Sequence, residues 1–184
     1  LEFRRVLFRS VIDGAMFGIG QPIGSHYAPT DPGYVDLTGQ YAYDPYHSKA
    51  LLREAGVTDL KLRLVLPPPE YARRGGEIIA QQLKAIGVTV EIVPVEWAQW
   101  LSDVFKAKNY DLTIISHVEP MDLDIYARDD YYFDYHSDAY KAVITELAAT
   151  SDETKRLELI GKAQKILADD CVNVFLFLLP KLAI

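Results

Sequence analysis

The sequence predicts an α/β domain with a three-stranded parallel βαβαβ core, flanking helices and a final buried strand. Three observations carry this. Short apolar runs at residues 60–66, 88–95 and 112–115 have strand composition. Between them, residues 70–86 and 96–108 repeat apolar side chains at helical spacing. The joins are short, and strand–helix–strand units of this kind cross over right-handed into parallel pairs.

Residues 1–10 differ in character from the rest of the chain. Three arginines crowd a short run behind Leu1-Glu2-Phe3, which resembles translated cloning-site or adaptor sequence, so this stretch is read as a non-native scar. Neither a sustained apolar run nor a small-residue cleavage site comes after it, and no secretory leader is read from it. The domain is then residues 11–184. Residues 11–44 are rich in Gly, Pro and Tyr and read as irregular backbone laid over a surface. Gly18-x-Gly20-x-x-x-Gly24 approaches a dinucleotide-binding fingerprint, but Pro22 interrupts it, no strand precedes it and no helix opens after it.

Asp44 and Pro45 fit the N-cap and first position of a helix whose apolar stripe is Ala50, Leu51, Leu52 and Ala55, closed by Gly56. The strand at 60–66 alternates and ends at Pro67-Pro68-Pro69. The helix at 70–86 places Ile79, Leu83 and Ile86 on one face and stops at Gly87. After the strand at 88–95, the helix at 96–108 carries Trp97, Trp100, Leu101, Val104 and Phe105 on one side. Two later helices obey the same rule, 137–149 with Tyr140, Val143, Ile144 and Leu147, and 152–168 with Leu159, Ile160, Ala163, Ile166 and Leu167. The continuously apolar run 171–179 reads as a central buried strand, with Cys171 as a small buried hydrophobe. The chain stops four residues after Pro180, which suggests truncation.

A formal net charge of −7 argues against nucleic acid or an anionic membrane as the main partner and favours a cationic or amine-bearing one. No apolar run approaches the ~20 residues of a spanning helix.

Ligands of parallel sheets sit beyond the carboxyl ends of the strands. Those ends are residues 67–74, 94–97 and 116–122, three loops expected to converge on one edge. The last is the most polar. Glu119, Asp122, Asp124, Asp129, Asp130 and Asp134 lie there and in its continuation to residue 134, and two of them ~5–10 Å apart would suit glycosidase-type acid/base work. His117 with Glu119 and Asp122 is also ordinary metal-ligand chemistry. Trp97, nearest a strand end, is placed to reach a ligand, while Tyr126, Tyr131, Tyr132 and Phe133 could stack on one or pack the loop down. The sequence has no Gly-x-Ser-x-Gly, His-Glu-x-x-His or phosphate-binding Gly-Lys-Ser/Thr motif, which favours a binder over an enzyme.

Several stretches together resemble the extracellular solute-binding proteins of family 5, the dipeptide, oligopeptide and nickel receptors of ABC importers. They are Ile12-Asp13 with the segment Phe17 to Gly24, Tyr43-Asp44-Pro45 leading to Lys49 to Gly56, Gln81 to Val88, Glu96-Trp97, Tyr110-Asp111-Leu112, and Gln164 to Asp170. The resemblance runs from Val11 to the end. It implies a periplasmic-binding-protein-like fold in which this chain is most of the second lobe, and a non-enzymatic role without a cofactor. It implies a periplasmic or membrane-tethered location, a small-molecule or peptide ligand, ABC permease subunits as partners, and a first lobe lying outside this sequence. In peptide-binding members an aspartate in a Trp-x-x-Asp-Tyr loop holds the peptide's amino group. Here that place reads His117-Val-Glu119-Pro-Met-Asp122, so Glu119 and Asp122 are candidates for the role. The ligand-binding set is thus His117, Glu119, Asp122, Tyr126 and Trp97. Two alternatives stand beside it: an α/β hydrolase or glycosidase fragment using paired carboxylates, and a metal-binding module centred on His117.

Overall fold

The computed structural model describes residues 4–40, 44–119 and 121–179. Leu1 to Phe3 of the scar, Tyr43 and Pro120 of the family resemblance, and the segment from Pro180 onward lie outside the described residues. The chain opens with helix α1 (Arg4–Met16), which runs unbroken through the expected junction after Ser10. The irregular reading of residues 11–16 is therefore corrected: Val11, Ile12 and Ala15 are buried helical residues, and α1 packs along α3 (Glu70–Ala85).

A short strand β1 (Gln21–Pro22) and a long irregular segment lead to helix α2 (Pro45–Glu54). Asp44 caps α2 as expected, its carboxylate accepting from the Tyr46 and His47 amides at 2.9 Å each. Gly56 closes the helix at a positive φ of 66°. Asp44→Ala should lower stability by about 1 kcal/mol, read as a shifted urea midpoint at unchanged slope.

The predicted parallel core is present. Strands β2 (Lys61–Leu66), β3 (Thr89–Pro94) and β4 (Leu112–Thr113) lie in the order β3-β2-β4, all parallel. Lys61 pairs with Thr89 through to Leu66 with Pro94, and Leu64 and Val65 pair with Leu112 and Thr113. The first crossover runs from β2 to β3 and the second runs back from β3 past β2 to β4, in opposite directions across the sheet, so right-handed connections put their helices on opposite faces. The side chains agree with this. Leu64 and Leu66 pack with Ala72 and Ile79 of α3. Val65, one residue out of phase, packs with Trp100 and Val104 from the second connection.

That second connection departs from expectation. A single turn, α4 (Trp97–Gln99), passes into a π-helix at Trp100–Lys106, marked by the Ala107 amide bonding the Ser102 carbonyl at 3.0 Å. The wider turn splits the apolar stripe: Trp100 and Val104 are buried, whereas Leu101 and Phe105 are exposed. The paired part of β4 is also shorter than predicted. At its end the Thr113 hydroxyl donates to the Val65 carbonyl at 2.8 Å and accepts from the Trp100 indole at 3.0 Å.

Helices α5 (Asp138–Ala149) and α6 (Glu153–Asp169) lie where the apolar period predicts, and the structure shows Ser137 and Asp152 capping them. They build a second core from Tyr140, Val143, Leu159, Ile160, Ala163 and Leu167, on which Leu123, Ile125 and Tyr126 sit. The final strand is corrected. Only β5 (Phe177–Leu178) is a strand, and it pairs antiparallel with β1, apart from the parallel sheet. Cys171 is exposed, with φ 53°, because the chain turns left-handed there to end α6. Phe175 alone of that run is deeply buried, and Val174 and Leu178 face out. No helix among the described residues is long and apolar enough to cross a membrane.

Candidate functional site

The three loops at the carboxyl ends of the strands do meet, and the first turn of α3 joins them. Tyr71 accepts a hydrogen bond from the Ser116 amide at 3.1 Å, which ties the loop after β2 to the loop after β4. Arg73 reaches the other way, donating to the Val95 carbonyl at 3.3 Å and to Glu96 at 3.4 Å.

At the end of β4 the structure brings together His117, Glu119 and Asp122. His117 Nδ1 lies 3.9 Å from a Glu119 oxygen and 3.8 Å from Asp122 Oδ2. The Asp122 side chain is only 10% exposed, whereas that of Glu119 is 66% exposed, so the pair presents one deep and one rim carboxylate. Asp122 follows Met121, whose positive φ of 57° bends the chain back, and precedes a 3₁₀ turn at Leu123–Ala127 that anchors it to the second core.

His26 was not singled out in the sequence, yet it is the closest partner of Asp122, with Nε2 2.5 Å from Oδ1. A chain of bonds fixes its tautomer. Asn173 donates to the Tyr126 hydroxyl at 2.7 Å, and Tyr126 donates to His26 Nδ1 at 3.0 Å. Nε2 therefore carries the proton it gives to Asp122. The signal that could have found His26 was its lone imidazole in a segment rich in Gly, Pro and Tyr.

Burial pushes the Asp122 carboxyl up, but the His117 and His26 side chains outweigh it and hold the group well below the ordinary carboxylate range. His26 is the stronger bond, since 3.8 Å from His117 exceeds hydrogen-bond length. Asp122 Oδ2 is buried with no hydrogen-bond partner.

Aromatic rings floor the site. His117 stacks on Tyr132 with planes 9° apart and its Nε2 is 2.8 Å from the Tyr132 hydroxyl. Tyr126 stacks on Phe133 at 4.6 Å between centroids. Tyr126 is buried, bonded to His26 and stacked on Phe133, so its ring packs the loop down. Trp97 is 43% exposed and stands off from the acids, linked to His117 through Trp100 and Tyr132 by edge and stacked contacts.

Residues 8–139 match the family described as bacterial extracellular solute-binding proteins, family 5 Middle. The chain belongs to that family. Among curated relatives, the dipeptide-binding protein of Escherichia coli K12 is 29% identical over 176 residues, 87% of this chain and 33% of its own length. Di/tripeptide-binding protein 2 of Pseudomonas aeruginosa is 34% identical over 103 residues, 53% of this chain and 19% of its own. The chain thus spans about a third of the first of these relatives and less of the second. Among solved structures, the Bacillus subtilis oligopeptide-binding protein AppA in complex with a nonapeptide superposes with a TM-score of 0.81 at 18% identity, over 95% of this chain and 40% of that one. The E. coli murein tripeptide binding protein MppA gives 0.81 at 19% identity, over 95% and 38%. The chain therefore shares the α/β fold of these binding proteins, and the periplasmic-binding-protein-like architecture expected from the sequence is the one observed.

Proposed function

We propose that residues 11–184 form the second lobe of a substrate-binding component of an ABC importer, which captures an amine-bearing solute, a short peptide by preference, and hands it to membrane permease subunits. The reading places the protein in the periplasm or tethered outside the membrane, has the missing first lobe close over the solute, and involves no catalysis or cofactor. The relatives that bind dipeptides and tripeptides by name support it.

The observation that carries it is the deep carboxylate of Asp122, whose Oδ2 has no donor within the described residues. A buried acceptor left unmet costs stability, and an ammonium group entering beside Glu119 satisfies it. Closure excludes water and strengthens that pair by lowering the effective dielectric. His117 lines the approach, Tyr126 positions His26 and through it Asp122, and Trp97 stands at the exposed far end of the ring chain behind His117.

The test is calorimetric titration of the complete two-lobed receptor with a panel of dipeptides and their N-acetylated forms. Glu119→Ala and Asp122→Ala should each weaken the best dipeptide at least about 30-fold, and acetylation should abolish binding. Equal affinity for acetylated peptides overturns the ammonium contact. Turnover of any peptide or glycoside, lost in the same variants, replaces capture with hydrolysis.

A further inference from the structure

We infer that the groove between α2 and the amino ends of β2 and β3 binds a second ligand, a free medium-chain carboxylate with an apolar tail. The groove has a volume of about 550 Å³ and lies where the chain passes from α2 to β2 and from α3 to β3. The solute site is at the carboxyl ends of the same sheet. The six residues of β2, at roughly 3.3 Å each, separate the two by about 20 Å.

The groove has an apolar part and a cationic part. Leu52, Leu60, Ile86 and Val88 belong to one packed cluster, and Val57 adds an exposed apolar side chain to it. Tyr46, Lys49 and Arg53 recur at i, i+3 and i+7 and therefore share one face of α2, and all three are exposed. Neither Lys49 nor Arg53 has an acidic partner among the described residues. In a chain of net charge −7 that is unusual, since Lys108, Arg128 and Lys141 each meet a carboxylate. Two cations against one carboxylate, Asp59, leave the lining net positive.

The donors select the head group. At the two glycine turns the backbone amides are already used, those of Gly56 and Val57 by the Arg53 and Leu52 carbonyls, and those of Gly87 and Val88 by the Lys84 and Leu83 carbonyls. An anion there is held by side chains, and a guanidinium beside an ammonium suits one carboxylate, which arginine pairs bidentately. The apolar cluster offers nothing to a second charged group, so the rest of the ligand is hydrocarbon. Anionic lipid at a membrane surface carries the same chemistry, but the net charge of −7 opposes approach to such a surface. The volume is that of a small-molecule site.

The inference goes beyond solute capture and stands without it. The experiment titrates octanoate calorimetrically into the full-length protein with no dipeptide present, beside hexanoate, octanol and octylamine. One-to-one binding of octanoate is expected with Kd below about 1 mM. Hexanoate should bind at least about fivefold more weakly, since each buried methylene is worth roughly fourfold, and octanol and octylamine at least about tenfold more weakly. Lys49→Gln and Arg53→Gln should each weaken octanoate at least about fivefold, and the two together should abolish its binding. Lys155→Gln, on α6 and paired with Glu146, should change nothing. All three side chains lie outside the core, so these variants keep the fold. Absence of saturable binding, octanol matching octanoate, or binding that survives the double substitution overturns the inference. Displacement of octanoate by a dipeptide also overturns it, as does binding to phosphatidylglycerol vesicles without binding to free octanoate. Dipeptide capture stands or falls separately on the acetylation comparison.

Discussion

Raising the pH from 10 to 12 should unfold this protein steeply, because its second core and the floor of its site are built from protonated tyrosines. Burial, first among the causes, pushes Tyr126, Tyr132 and Tyr140 far above the ordinary tyrosine value, and all three side chains are almost completely enclosed. Neighbouring tyrosines raise Tyr132 and Tyr140 further, and Asp122 does so for Tyr126. Tyr27 and Tyr110 are pushed up to about 12.

The direction comes from proton counting. Below pH ~10 both the folded and unfolded chains keep these protons, and the stabilisation is fully present. Above it the unfolded chain releases them and the folded chain does not, so stability falls as pH rises toward the folded values. Each fully buried tyrosine costs about 1.4 kcal/mol per pH unit, and three cost about 4 kcal/mol per unit against a total of roughly 5–15 kcal/mol. Urea midpoints at pH 9, 10 and 11, with tyrosinate absorbance recorded alongside, check this. Tyr132→Phe loses one hydroxyl contact with His117 and should flatten the slope by one proton. Tyrosines that titrate near pH 10 while the chain stays folded would sink the prediction.

The same rings show what was legible in the sequence. Strand alternation in residues 60–66 and the helical period of residues 70–86 carried the parallel core, because each signal is local and repeats. The Asp44 cap was legible for the same reason. The trio of His117, Glu119 and Asp122 was legible because one loop supplies it. His26 was not, since it reaches Asp122 from 96 residues away along the chain, and no periodicity encodes such a contact. The run 171–179 misled for a different reason: continuous hydrophobicity does not distinguish a central strand from an extended segment with one face against the protein. The π-helix left no mark, because its widened turn accepts the residue types of an α-helix.

Gly24→Ala should cost at least about 3 kcal/mol and loosen the site as well. A Cβ there would fall 2.1 Å from the Thr38 nitrogen and 2.3 Å from the Leu37 carbonyl carbon, which are backbone atoms with no rotamer to give way. The next residue, Ser25, is fully buried, and its hydroxyl donates to the Val35 carbonyl at 2.8 Å, so the two arms of this loop are locked together. Next along is His26, so any shift that relieves the clash is carried to the imidazole that orients Asp122. Gly87→Ala is the informative control. Its φ of 93° makes alanine strained, but nothing lies within 4 Å of the added carbon, so its cost should stay near about 1–2 kcal/mol with no change in dipeptide affinity. Urea denaturation ranks the two, and calorimetry reads the site. If Gly24→Ala matches the parent in both, the loop does not hold His26 in place, and the Gly/Pro-rich segment is only a surface covering.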